Sequence, residues 1–264
     1  MKAVSADGIY SFLFDAIDVF HVFENFKTFF TCVFQTLMRA HNARIIYVMY
    51  NYLIFDLDGT ILDTIDDITF AINSALEQKG YPWRYDREGT KTLVGDGADA
   101  LLHRALRNHD NPEEFQLLKP VYMALYKEHQ TERAKPFLGL NAVLTELKNQ
   151  GIRMAVVTNK PDALAQVIVP MHFGEGFFER IYGINEGDPV KPNPAFVFKY
   201  LNEVGAKPEE CLFIGDSHVD IATGHNAGMK VLLCGWGYEV DYEAVKNDAD
   251  FFAETPEELK RVIR

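Results

Sequence analysis

Tyr52-Leu53-Ile54-Phe55-Asp56-Leu57-Asp58-Gly59-Thr60 is the stretch on which the fold turns. Residues 52–55 form a short apolar run that ends at a carboxylate, and such a run reads as a strand buried on both faces. Two carboxylates at i and i+2, followed by glycine, then leave the strand end together. Between them they can hold a hard cation and supply a nucleophile and an acid/base. Working outward, further strands are predicted at 154–157, 181–183, 212–214 and 231–233. Helices are predicted from Asp63 to about Gly80, with Asp63 as the cap, at 143–149, after Pro161, at 194–204, at about 219–227 and at 256–263. Strands alternating with helices imply right-handed crossovers and a parallel sheet. The fold class is therefore α/β, a doubly wound, Rossmann-like core, whose ligands bind at the carboxyl ends of the strands.

Polar clusters fall at those ends. Besides Asp56 and Asp58 they are Thr158-Asn159, Lys191 in Val190-Lys191-Pro192-Asn193-Pro194, and Gly215-Asp216-Ser217-His218-Val219-Asp220. Residues from about 66 to 136 carry no strong strand. Leu101, Leu102, Ala105 and Leu106 form one helical stripe, and Phe115, Leu118, Tyr122, Leu125 and Tyr126 form another. The stretch reads as a small inserted helical module that ends near Pro136 and Gly139.

The chain has 264 residues and a formal net charge of −12, with 48% hydrophobic and 24% charged residues. That composition excludes a disordered, collagen-like or disulfide-scaffold chain. The acidic balance argues against nucleic acid as a partner, because a basic face is needed to displace counterions. An anionic substrate must then find its positive charge locally, from a metal, a lysine or helix N-termini. The three cysteines, Cys32, Cys211 and Cys234, have no metal or redox spacing and read as reduced thiols of a cytoplasmic protein.

Eight phenylalanines lie between residues 12 and 34. Asp15, Asp18, Glu24 and Lys27 interrupt that region, so it suits neither a membrane span nor a signal peptide, and no membrane partner is expected. Phe20, Phe23, Phe30, Phe34 and Leu37 recur at helical spacing, so residues 1–48 read as an accessory helix or a dispensable extension. Those residues are neutral overall, which leaves the acidic charge to the remainder. The chain thus divides into an extension at 1–48, a core at 49–65 and 137–264, and a helical insert at 66–136.

The ordered set of clusters resembles the haloacid dehalogenase superfamily of phosphatases: Asp-x-Asp-Gly-Thr, a Thr after a strand, Lys-Pro, and Gly-Asp-x-x-x-Asp. The resemblance covers about residues 49–264, and the insert looks like that family's helical cap. Asp58-Gly59-Thr60-Ile61-Leu62-Asp63-Thr64, Val94-Gly95-Asp96-Gly97-Ala98 and Thr158-Asn159-Lys160-Pro161 are most similar to the phosphoglycolate phosphatase branch. The resemblance implies a Mg²⁺-dependent phosphomonoesterase acting on a small phosphorylated metabolite, with 2-phosphoglycolate the best single choice. It implies Asp56 as nucleophile and metal ligand, and Asp58 as general acid and base, with its carbonyl on the metal. Thr158 and Asn159 bind the phosphoryl oxygens, and Lys191 supplies a point charge. Asp216 completes the metal ligands and Asp220 supports them.

Gly95 either brings an insert loop close to the substrate or makes a simple turn, Arg104 and Arg107 read as solvated unless a second anionic group of the substrate meets them, and His218, inside the last motif at the mouth of the site, reads as having no catalytic role. Pyrophosphatase, nucleotidase and β-phosphoglucomutase chemistry remain open on the same fold, as does a non-catalytic binding protein. Monomer and homodimer are both compatible.

Overall fold

The computed structural model describes residues 50–263. The accessory-helix reading of residues 1–48 falls outside them. Six strands form one sheet: β1 (Tyr52–Phe55), β4 (Arg153–Pro161), β5 (Arg180–Ile184), β6 (Cys211–Gly215), β7 (Lys230–Cys234) and β8 (Phe251–Ala253), in the order β5-β4-β1-β6-β7-β8. All five pairings are parallel. β1 pairs Phe55 with Val156 on one side and with Ile214 on the other. Strand order reverses at β1, so its carboxyl end opens at the topological switch point.

Successive strand residues face opposite layers. Leu53, Phe55, Val156, Leu212, Ile214 and Leu232 pack into one core layer. Ile54, Ala155, Val157, Phe213, Val231 and Leu233 pack into the other. Helices close both faces: Leu140–Asn149 and Asp162–Phe173 contribute Leu144 and Ile168 to the first layer, while Ala195–Val204 and His218–Asn226 contribute Tyr200 and Ile221 to the second. Among the described residues, no helix is long and apolar enough to cross a membrane.

Between residues 64 and 134 lie four α-helices: α1 (Ile65–Gln78), α2 (Arg87–Lys91), α3 (Ala98–Leu106) and α4 (Pro112–His129). They share a core of their own, in which Ile72 and Leu76 meet Leu102, Leu106, Leu118 and Tyr122. The chain enters and leaves this helical module side by side. β2 (Leu62–Asp63) pairs antiparallel with β3 (Lys135–Pro136). Beside that ladder the fully buried Asp67 accepts hydrogen bonds from the backbone N–H of Arg133 (3.1 Å) and of Ala134 (2.8 Å).

The structure departs from the expected elements at several points, the short strands β2 and β3 among them. Asp63 does not cap α1: Thr64 holds the N-cap position, and Asp63 sits on β2, where Arg87 Nη2 donates to it at 2.7 Å. β4 runs on through Thr158-Asn159 to Pro161, because Pro161 still pairs with Ile184 of β5. The closing helix starts only at Leu259, after a 3₁₀ turn over Pro256–Glu258. β8, three residues at the sheet edge, lacks a periodic signal of useful length and was not predicted.

Candidate active site

The polar clusters converge at the carboxyl ends of β1, β4 and β6 and on the loop after β5. Asp56 is fixed at the end of β1, where its N–H donates to the Ile214 carbonyl at 2.9 Å. Lys191, buried in the loop after β5, sets its Nζ 2.8 Å from Asp56 Oδ1 and 2.7 Å from Asp220 Oδ1. Asp56, Asp58, Gly95, Thr158, Asn159 and Asp216 help to line an adjoining cavity of about 270 Å³, whose lining does not include Lys191.

Asp216 is held at both oxygens: Thr60 Oγ1 donates to Oδ1 at 2.8 Å, and the Tyr238 N–H donates to Oδ2 at 2.7 Å. Gly59 explains the first glycine of the motif. Its φ of +88° is left-handed, and a Cβ there would run into the Asp216 carboxylate. Ser217 caps the helix that follows, and Asp220 is the third residue of its capping box. Asp220 Oδ2 accepts from Ser217 Oγ at 2.7 Å and from the N–H groups of Asp216 and Ser217 at 3.1 Å. Protein donors thus engage both of its oxygens.

Oxygens of Asp56, Asp216 and Asp220 lie within 4.8 Å of one another. Burial raises the Asp56 carboxyl to about 6; Lys191 opposes the rise and Asp220 adds to it. Burial, Asp220 and Asp56 push Asp216 well above the ordinary range as well. Burial works against the Lys191 ammonium, but Asp220 and Asp56 outweigh it and raise its pKa. Three close carboxylates facing one ammonium leave negative charge in excess. This hard, all-oxygen donor set fits a divalent cation such as Mg²⁺.

Thr158 is buried at the end of β4 and does not cap the helix after Pro161; its hydroxyl accepts from the Lys160 N–H at 3.3 Å. The Asn159 side chain clamps the Lys191 loop, accepting from the Lys191 N–H at 2.7 Å and donating to its carbonyl at 3.3 Å. It also donates to the Gly95 carbonyl at 3.2 Å, which ties the helical module's loop to the sheet. Arg104 lines the cavity but is bound to Asp96 and to the Leu93 carbonyl. Arg107 stacks over Trp83 and Tyr85 instead. His218 stands at the rim, its side chain 68% exposed and 3.2 Å from Glu239.

Sequence reasoning assigned no role to Lys160. Its buried Nζ lies 3.0 Å from Asp58 Oδ1, and it also donates to Tyr126 Oη of α4. Thr64 Oγ1 donates to the same Asp58 oxygen at 2.7 Å. A lysine directly after Thr158-Asn159, beside a strand-end site short of positive charge, was the available signal.

Comparison with known proteins agrees with this layout. Residues 53–234 match the family model of haloacid dehalogenase-like hydrolases. A phosphoglycolate phosphatase of Aquifex aeolicus is 34% identical over 186 residues, covering 70% of this chain and 85% of that protein. One from Nitrosococcus oceani is 29% identical over 218 residues, covering 80% and 95%. The crystal structure of a predicted phosphoglycolate phosphatase from Haemophilus somnus superposes with a TM-score of 0.76 at 28% identity, covering 82% of this chain and 99% of that one. With the motif residues gathered at the carboxyl end of the sheet and the match spanning core and helical module alike, the chain belongs to the haloacid dehalogenase-like hydrolase family.

Proposed function

We propose that this hydrolase is a Mg²⁺-dependent phosphomonoesterase that works through an aspartyl-phosphate on Asp56. The observation that carries the reading is the placement of Asp56, at the cavity wall with Lys191 2.8 Å from it and Asp216 beside it. An Asp56 oxygen attacks phosphorus as the bond to the leaving oxygen breaks. Asp58, two residues further round the same turn, gives that oxygen its proton. Asp58 then takes a proton from water, which attacks the aspartyl-phosphate, releases phosphate and regenerates Asp56. Thr158 through its hydroxyl, and Asn159 through its N–H, hold the phosphoryl oxygens. Lys191 offsets the repulsion between Asp56 and the incoming anion. Asp56, Asp216 and the Asp58 carbonyl would hold Mg²⁺, while Asp220 accepts from the Asp216 N–H and from Lys191. The ion, when bound, neutralises phosphoryl charge.

The helical module, residues 66–136, serves as the cap that excludes water and limits the leaving group. A cavity of about 270 Å³ suits an ester of few carbons, and 2-phosphoglycolate, after which the relatives are named, is the proposed substrate. The two described cysteines, Cys211 and Cys234, are free and buried, in keeping with a cytoplasmic setting. The test is kcat/KM over a panel of 2-phosphoglycolate, sugar phosphates, nucleotides and pyrophosphate. We expect 2-phosphoglycolate to lead, EDTA to silence turnover and Mg²⁺ to restore it. A nucleotide or pyrophosphate in the lead would overturn the substrate, and turnover in EDTA would overturn the metal.

The raised Asp56 carboxyl gives a pH expectation. Below about 6 it is protonated in the metal-free protein and offers the cation no charge. Mg²⁺ affinity should therefore weaken by at least about tenfold per pH unit below that point, with Asp216, whose carboxyl is raised as well, adding to the loss. Calorimetric titration at pH 5 and 7.5, in two buffers of different ionisation enthalpy, reads both the affinity and the protons released. Equal affinity at the two values would count against Asp56 as a ligand.

A further inference from the structure

Two helices of the module reach the same carboxylate. Thr64, at the N-terminus of α1, donates to Asp58 Oδ1 directly at 2.7 Å. Tyr126, on the last turn but one of α4, reaches it through Lys160. The Lys160 ammonium has three protons. Its acceptors are Asp58 Oδ1 at 3.0 Å, Asp58 Oδ2 at 3.3 Å and Tyr126 Oη. The Lys160 side chain is 1% exposed, so few partners other than these are open to it. The ammonium also lies 4.4 Å from the centre of the Tyr126 ring, and Tyr122 stacks on that ring at 5.6 Å. Burial keeps the Tyr126 phenol protonated, with Asp58 reinforcing the effect. Tyr126 is thus a fixed, neutral acceptor in the packed core of the module.

This arrangement is more than a neutralising pair. An ammonium held only by Asp58 could swing with it; one also seated on Tyr126 fixes where the carboxylate points. Resting on the reading of Asp58 given above, we propose that Lys160 and Tyr126 are positioning residues for proton transfer by Asp58, transmitting the seat of the helical module to its carboxylate.

Leaving-group dependence tests this. Acetyl phosphate releases a carboxylate that needs no proton, whereas an alkyl phosphate releases an alkoxide that does. kcat/KM reports the first of the two chemical steps for both. For the best alkyl ester of the panel, Lys160→Met should cost about 10²-fold and Tyr126→Phe about tenfold, with acetyl phosphate changed by less than about threefold. The double variant should be no slower than Lys160→Met alone, because the pair acts as one unit. Equal losses on the two esters, or losses that multiply in the double variant, would overturn the proposal. Tyr126→Phe preserves the ring and its packing, so it carries the test even if Lys160→Met folds poorly. The reading beneath the proposal fails separately: an Asp58→Asn variant that loses no more on the alkyl ester than on acetyl phosphate would remove Asp58 as the acid, whatever Lys160 and Tyr126 do.

Discussion

Asp56→Asn is expected to lower kcat by a factor on the order of 10⁶, the scale seen when a catalytic nucleophile is removed, without loss of the fold. The carboxamide keeps the shape of the carboxylate and an oxygen that accepts from Lys191, so the strand end and its N–H to the Ile214 carbonyl persist. It also removes a carboxylate from a place where burial and Asp220 oppose the charge, so the metal-free protein should melt no lower than the parent. The covalent step has its own signature. Borohydride added during turnover reduces an acyl phosphate to the alcohol, so position 56 of the parent protein should be recovered as homoserine by mass spectrometry. A variant with undiminished activity, or label on another residue, would sink the assignment.

Lys191→Met should damage both stability and activity. Lys191 faces Asp56 and the fully buried Asp220 at 2.8 and 2.7 Å. Taking away one partner of a buried pair leaves an uncompensated charge, at a cost of about 3–5 kcal/mol. In a chain of this size the metal-free melting midpoint should fall by on the order of 10 °C. Methionine fills the lysine's volume, so the loss is electrostatic and Mg²⁺ should recover part of it. Turnover should drop by about 10²–10³, the scale of losing one preorganised electrostatic group. Scanning calorimetry with and without Mg²⁺, alongside kcat, checks both. An unchanged midpoint would mean that the carboxylates do not depend on Lys191.

The sheet was legible because its strands are short unbroken apolar runs, and a parallel sheet buried on both faces demands them. The gathering of Asp56, Thr158 and Asp216 was legible for the same reason, since each follows such a run; Lys191 stands in a loop well beyond the end of β5 and was legible only through its Lys-Pro pattern. What escaped depends on contacts distant in sequence. Lys160 looks like a surface lysine until α4 brings Tyr126 to it. Tyr238 shows no sign in sequence that its N–H will hold Asp216 and its hydroxyl will accept from the N–H of Thr64 and of Ile65. Asp63 fits a helix cap by composition, but pairing with Lys135 draws it into a strand. Local preference lost to tertiary pairing there, as it did where the ladder carried β4 beyond Val157.

The two-residue ladder of Leu62-Asp63 with Lys135-Pro136, backed by Asp67, makes the departure and return of the insert neighbours in space. An excursion that begins and ends at one point asks nothing of the sheet that carries it. The helical module can therefore lengthen, shrink or be exchanged for another while the turn bearing Asp56 and Asp58 keeps its shape. Seen this way, the ladder is a graft junction: selection can change which molecules are admitted, on condition that the graft still seats Lys160 beside Asp58 as Tyr126 does.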